Sequence, residues 1–254
     1  MNASVDEPRD ELARDLGTVL GMATDPVAVF LLPPGPVAPE WDGSARLKGH
    51  RWCQALMRAR HGESVLLDAE GIACPAAAAA FGFKPLPENL ANGPGLVGFG
   101  IVTDPAVGRE MFRGMTRLAP GSVGTLAACP LRMAPGIPDV VVLEGPPEIL
   151  MWVALADLNA AGGARRQGDT AVLQATCVDA VVIPHVQQRL NFSLGCYGCR
   201  EATDLGPDET VLGFPGARLP AIRVALDALN GKAVPRSRAK AVYQNLMRKE
   251  DSHG

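Results

Sequence analysis

The stretch Pro138-Asp139-Val140-Val141-Val142-Leu143, with Pro146-Pro147 and the helical run Glu148 to Ala160 behind it, decides the architecture. Three valines in a row suit a pleated strand, where the stiff branched side chain packs well against its neighbours. The prolines cost little at a helix start, because the first-turn donor they lack would be unpaired there anyway. Trp152 and Leu155 then fall among the buried positions of the helix. Strands alternate with helices along the rest of the chain, which makes the α+β class the expectation.

Toward the N-terminus, Val123–Ala128 reads as a strand and Val107–Leu118 as a helix. Asn92-Gly93-Pro94-Gly95-Leu96-Val97-Gly98 matches G-x-G-x-x-G in letters alone: a loop precedes it and the strand-like Phe99–Thr103 follows. That order is the reverse of a dinucleotide site, so the segment is read as a turn. Ser64–Leu67 is a strand and His50–Arg58 a helix with one thiol near its start. The Pro/Gly-rich segment from Pro33 to Gly49 is loop, Asp25–Leu32 a buried strand, and Asp6–Met22 an amphipathic helix.

Toward the C-terminus, a basic turn (Gly162–Gly168) precedes Thr170–Ala175, which reads as a strand ending in Thr176-Cys177 before a helical Val178–Ile183. This loosely repeats the strand–cysteine–helix order around Cys74, as an internal duplication would. Glu209–Phe214 is a strand and Leu219–Leu229 a helix, and Pro235–Gly254 is a basic tail with a short helix over Ala239–Met247. No linker divides the chain, so one domain over residues 1–254, a mixed β-sheet flanked by helices, is expected.

At 254 residues, 47% hydrophobic and 20% charged, the chain can bury a full core without covalent staples. A net charge of -3 leaves no basic stripe for a phosphate backbone, which argues against nucleic acid as a partner. The N-terminus lacks the order of a secretory signal, and the apolar runs Ala73–Phe83 and Ile149–Ala156 are too short to cross a bilayer. The expectation is a cytoplasmic protein away from the membrane, where six cysteines are thiols, metal ligands or catalysts rather than disulfides.

The chemistry concentrates in Leu194-Gly195-Cys196-Tyr197-Gly198-Cys199-Arg200. Thiolates three residues apart can grip one zinc ion or two irons of one cluster, and Gly198 frees the backbone to turn its N–H groups toward sulfur. A redox dithiol is the other reading. Further ligands must be single cysteines. Cys74, the expected N-cap before Pro75, sits where the helix dipole favours a thiolate, and Cys53 and Cys177 compete for the remainder. Cys129-Pro130 ends a strand and is taken as structural, as an isolated cysteine most often is. Spread ligands favour an iron–sulfur cluster, [4Fe–4S], over zinc, and Arg51 and Arg200 beside candidate ligands could offset its negative charge. His50, His61 and His185 have no visible partner and read as ordinary polar residues. No nucleophile elbow, Walker loop or H-E-x-x-H is present, so hydrolase chemistry has no carrier.

Trp52–Glu63, Ala73–Gly82, Pro138–Leu143 and Leu194–Arg200 together resemble the bacterial and archaeal family called domain of unknown function 169, from about Val27 to Leu229. The resemblance implies a shared cysteine set at Cys53, Cys74, Cys177 and Cys196, with other residues also found at the position of Cys199. It supplies no reaction. The function expected is that of an iron–sulfur protein transferring electrons or activating substrate at an exposed iron, the latter as a cluster-dependent oxidoreductase or lyase. Its partners would be a redox protein or a small-molecule substrate, and a homo-oligomer is admitted. A zinc or small-molecule binding module, or a Cys196/Cys199 thiol oxidoreductase, stands as the alternative.

Overall fold

The computed structural model describes residues 15–251, with side chains to residue 248. Seven strands form one sheet: β1 (Val27–Leu32), β2 (Ala45–Arg46), β3 (Val65–Asp68), β4 (Thr125–Pro130), β5 (Val140–Gly145), β6 (Asn191–Ser193) and β7 (Thr210–Pro215). Their order is β2-β3-β4-β1-β5-β7-β6, antiparallel except for the parallel β2–β3 pair, so the sheet is mixed as expected. Val27 faces Pro130 on one side of β1 and Val142 on the other, and this register sets the centre of the molecule.

Helices cover both faces. In chain order they are α1 (Leu16–Leu20), α2 (Trp52–Arg60), α3 (Pro75–Ala80), α4 (Glu88–Ala91), α5 (Pro94–Gly98), α6 (Pro105–Arg113) and α7 (Pro147–Ala160). A π-helix (Ala175–Val182) then runs into α8 (Ile183–Gln187), followed by α9 (Tyr197–Ala202), α10 (Leu219–Asn230), α11 (Ala233–Arg238) and α12 (Ala241–Asp251). The period-two alternation of strand side chains divides the core. Val27, Val29, Leu126, Ala128, Val140 and Val142 pack on the front under α2, α3 and the π-helix. Ala28, Ala127, Cys129, Val141 and Leu143 pack on the back under α1, α7 and α10. The antiparallel sheet is thus buried on both sides, which explains strands that read as unbroken apolar runs.

The π-helix lies directly on β7. A Cβ added at Gly213 would collide with the carbonyl oxygen of Ala180, so only glycine lets these two backbones touch. α3 approaches closely for a related reason, since its buried face is Ala77 to Ala80.

Two expected strands are absent. Phe99–Thr103 is a helix exit: the N–H groups of Phe99, Gly100 and Ile101 donate to the carbonyls of Gly95, Val97 and Leu96. The preceding Gly93-Pro94, read as a turn, opens α5 with Gly93 at a φ of 96° and proline in the first helical turn. Thr170–Ala175 is irregular, because side chains take the bonds a neighbouring strand would have made. Asn191 grips the backbone of Asp169 in both directions and also donates to the Asp179 carbonyl, while Thr170 Oγ1 binds Asp179 Oδ2 at 2.6 Å. Cys177 therefore follows a loop, and the strand that an internal duplication required is missing. The segment read as loop after Pro33 holds β2 and a 3₁₀ turn at Pro39–Trp41. Of the N-terminal helix expected over Asp6–Met22, only the end falls within the described residues.

Candidate functional site

Five of the six cysteines line one cavity of 310 Å³ on the front of the sheet. Each arrives in the first turn of a helix: Cys53 as the second residue of α2, Cys74 as the N-cap of α3, Cys177 third in the π-helix, and Cys196 and Cys199 as N-cap and third residue of α9. First-turn backbone N–H groups have no helical partner, so these starts present free donors and the positive ends of helix dipoles to the space between them. Cys129 points to the opposite face and takes no part, as expected.

The thiols are close. Cys196 Sγ lies 3.0 Å from Cys199 Sγ and accepts the Cys199 backbone N–H at 3.3 Å. Thr176 Oγ1 is 3.4 Å from Cys199 Sγ, Cys53 is hydrogen-bonded to Cys199, and Cys177 donates to the Gln174 carbonyl at 3.6 Å. Three of them, Cys177, Cys196 and Cys199, are held toward the protonated thiol. Cys196 is raised first because its proton is shared with Cys199 and then by burial, and the Ala175 and Cys199 N–H groups only partly offset this. At Cys199 the bond from Cys196 favours the thiolate, but the contact with Cys53 and burial outweigh it and push the thiol up to about 12. Cys177 is raised well above the ordinary range by burial, reinforced by Cys74, Cys196 and Cys199. Among the described residues no three His, Cys, Asp or Glu side chains converge tightly enough to hold a single metal ion.

Arg51, the N-cap of α2, and Gln54 in its first turn fasten α2 to α9. Arg51 Nη1 donates to Glu201 Oε2 at 2.9 Å and to the Gly198 carbonyl at 3.2 Å, while Gln54 Nε2 reaches the Ala202 carbonyl at 3.3 Å. Arg51 is therefore at the site, as its place beside Cys53 suggested. Arg200 is not: its guanidinium turns away to the carbonyls of Gly206, Leu194 and Glu209 and clamps the loop after α9. The expectation that it offsets charge in the cavity is corrected, because three carbonyl acceptors outside the cavity hold it.

At the far end of α2 the buried Arg60 meets Asp204 at 2.7 Å, Glu209 at 3.3 Å and Glu144 at 3.4 Å. Burial drives the Glu144 carboxyl up to about 7 even with Arg60 beside it, since Glu209 and Asp204 compete for the same cation. His61 Nε2 lies 2.6 Å from Asp204 Oδ2, which makes it the satisfied polar histidine expected.

The cavity also has walls that the sequence reading missed. Trp52 stacks edge-on against Phe81 at 5.3 Å and donates its indole N–H to the Thr176 carbonyl at 3.0 Å, pinning α2 to the π-helix. Leu90, Leu96, Phe99 and Phe112 come from the α4–α6 region, and Leu173 and Gln174 from the supposed strand. Proline after Gly93 could have signalled α5, and Thr170 two residues before Val172 could have signalled a side-chain turn. Val172 and Gln174 both have positive φ, 58° and 63°, and they lead into the π-helix. Such strain and such helices gather at working sites.

No solved structure matches the chain at a significant level. The uncharacterized protein MJ0308 of Methanocaldococcus jannaschii is 30% identical over 179 residues, covering 70% of this chain and 76% of that one. A family model, described as uncharacterised ArCR, matches residues 15–223, a span that contains every cysteine of the cavity. The chain belongs to the domain of unknown function 169 family.

Proposed function

We propose that the cavity binds an iron–sulfur cluster, [4Fe–4S], through thiolates drawn from Cys53, Cys74, Cys177, Cys196 and Cys199. The protein would use it to transfer electrons or to activate a substrate at an exposed iron. One observation carries this reading: five thiols from four segments far apart in sequence open into one cavity, each from a helix start. Ligands of a cluster attach to different irons and need not converge on a point, which suits thiols arriving from separate helix starts. Metal binding removes a coordinating thiol's proton outright, and the free N–H groups then face sulfur anions.

The 3.0 Å Cys196–Cys199 separation favours a second reading, a redox dithiol. A working dithiol needs an accessible, acidified thiolate, whereas these sulfurs are buried and raised. The test is anaerobic isolation followed by iron and acid-labile sulfide analysis. About four of each per chain, with broad thiolate-to-iron absorption in the visible, is the expected result. One zinc and no sulfide, or a metal-free protein that cycles reversibly by two electrons at Cys196 and Cys199, would overturn it.

A further inference from the structure

The cavity contains a polar group that the cysteines do not account for. Gln174 lines it and is 9% exposed, and its carboxamide bonds to no described residue while not being sealed from solvent. Its backbone is fully engaged: the carbonyl accepts from the N–H groups of Val178 and Asp179 and from Cys177 Sγ. A ligand that meets this amide displaces water from it, and a non-glycine residue in the left-handed region costs roughly 1 kcal/mol. Backbone strain of this kind gathers where a ligand binds.

The walls around Gln174 restrict what that ligand can be. Leu90, Leu96, Phe99, Ile101, Phe112 and Leu173 offer apolar surface, and the cation of the lining, Arg51, is already matched by Glu201. We infer that the cavity takes a small, uncharged, largely apolar molecule with one carbonyl or hydroxyl head, and that Gln174 is the residue that recognises the head. A carboxamide donates and accepts, so it can meet either group. An anionic head would face the thiols with no free cation, and an ammonium would find Glu201 taken. The inference extends the proposed function by naming the class of molecule that would meet the cluster, and it rests on that reading for this role alone.

The experiment is calorimetric titration of n-hexanol, hexanoate and hexylammonium into the full chain isolated anaerobically, and again after the metal has been chelated away. The neutral alcohol should bind at least about tenfold more tightly than either ion, a difference near 1.4 kcal/mol. Gln174→Gly should weaken n-hexanol about tenfold while the Tm holds or rises, since glycine relieves the left-handed backbone. Gln174→Asn, which also tolerates that conformation, should weaken it with the fold intact. Equal binding of all three probes, no binding of n-hexanol, or wild-type binding by both variants would overturn the inference. Cluster and ligand fail separately: an iron-free protein that binds n-hexanol through Gln174 sinks the first alone, and an iron-loaded protein indifferent to it sinks the second alone.

Discussion

At the scale of residues, the cysteines fall into two kinds by a rule no more elaborate than strand alternation. Ala128 faces the front of β4 and Cys129 the back, so one position separates a wall of the core beneath the site from a filler of the opposite face. Iron and sulfide content should therefore drop sharply in Cys74→Ser, Cys177→Ser and Cys196→Ser and stay at the wild-type level in Cys129→Ser, assayed on anaerobic protein. Cys53→Ser and Cys199→Ser rank the two remaining sulfurs, since a cubane needs no more than four protein ligands. The thiols themselves were legible in the sequence: Cys-Pro before five alanines marked an N-cap, and C-x-x-C marked a pair. Gln174 was hard to read, because Thr170 alone in Thr-Ala-Val-Leu-Gln-Ala hints that side chains rather than a partner strand satisfy its backbone.

At the scale of elements, the π-helix is the part on which the site depends most. It carries Thr176 and Cys177, receives the Trp52 indole, and rests on β7 through the bare backbone of Gly213. Gly213→Ala should lift it from the sheet, lowering unfolding free energy by about 3 kcal/mol or more in denaturant titration. The same variant should release bound iron even though residue 213 touches no thiol. A stability equal to wild type would show that the two backbones separate freely. Strands with valine runs were readable because burial on both faces leaves an unmistakable apolar stretch. The helical run from Val178 was readable as well, but its π form and its start at Ala175 were not, since Thr170, Asn191 and Gly213 from other parts of the chain decide them.

At the scale of the whole molecule, Arg60, Glu144, Asp204 and Glu209 join both halves of the chain beneath the site. Glu144 rises from an ordinary 4.5 to about 7 on folding, so the folded protein holds its proton more firmly than the unfolded chain does. That contribution to stability is complete below pH 4.5 and is lost as pH climbs through about 7. Glu144→Gln, which mimics the protonated acid, should melt higher than wild type at pH 8 and coincide with it near pH 4.5. Equal melting at both values would mean that Arg60 alone neutralises the acid.

The cavity's walls begin at Arg51 and end at Glu201, with the sheet threading between them. The last sulfur donor, Cys199, follows the first, Cys53, by 146 residues, so no fragment that ends before it has a complete nest to offer. The chamber's lining is whole only once Glu201 has reached Arg51, at 2.9 Å, across that span of chain.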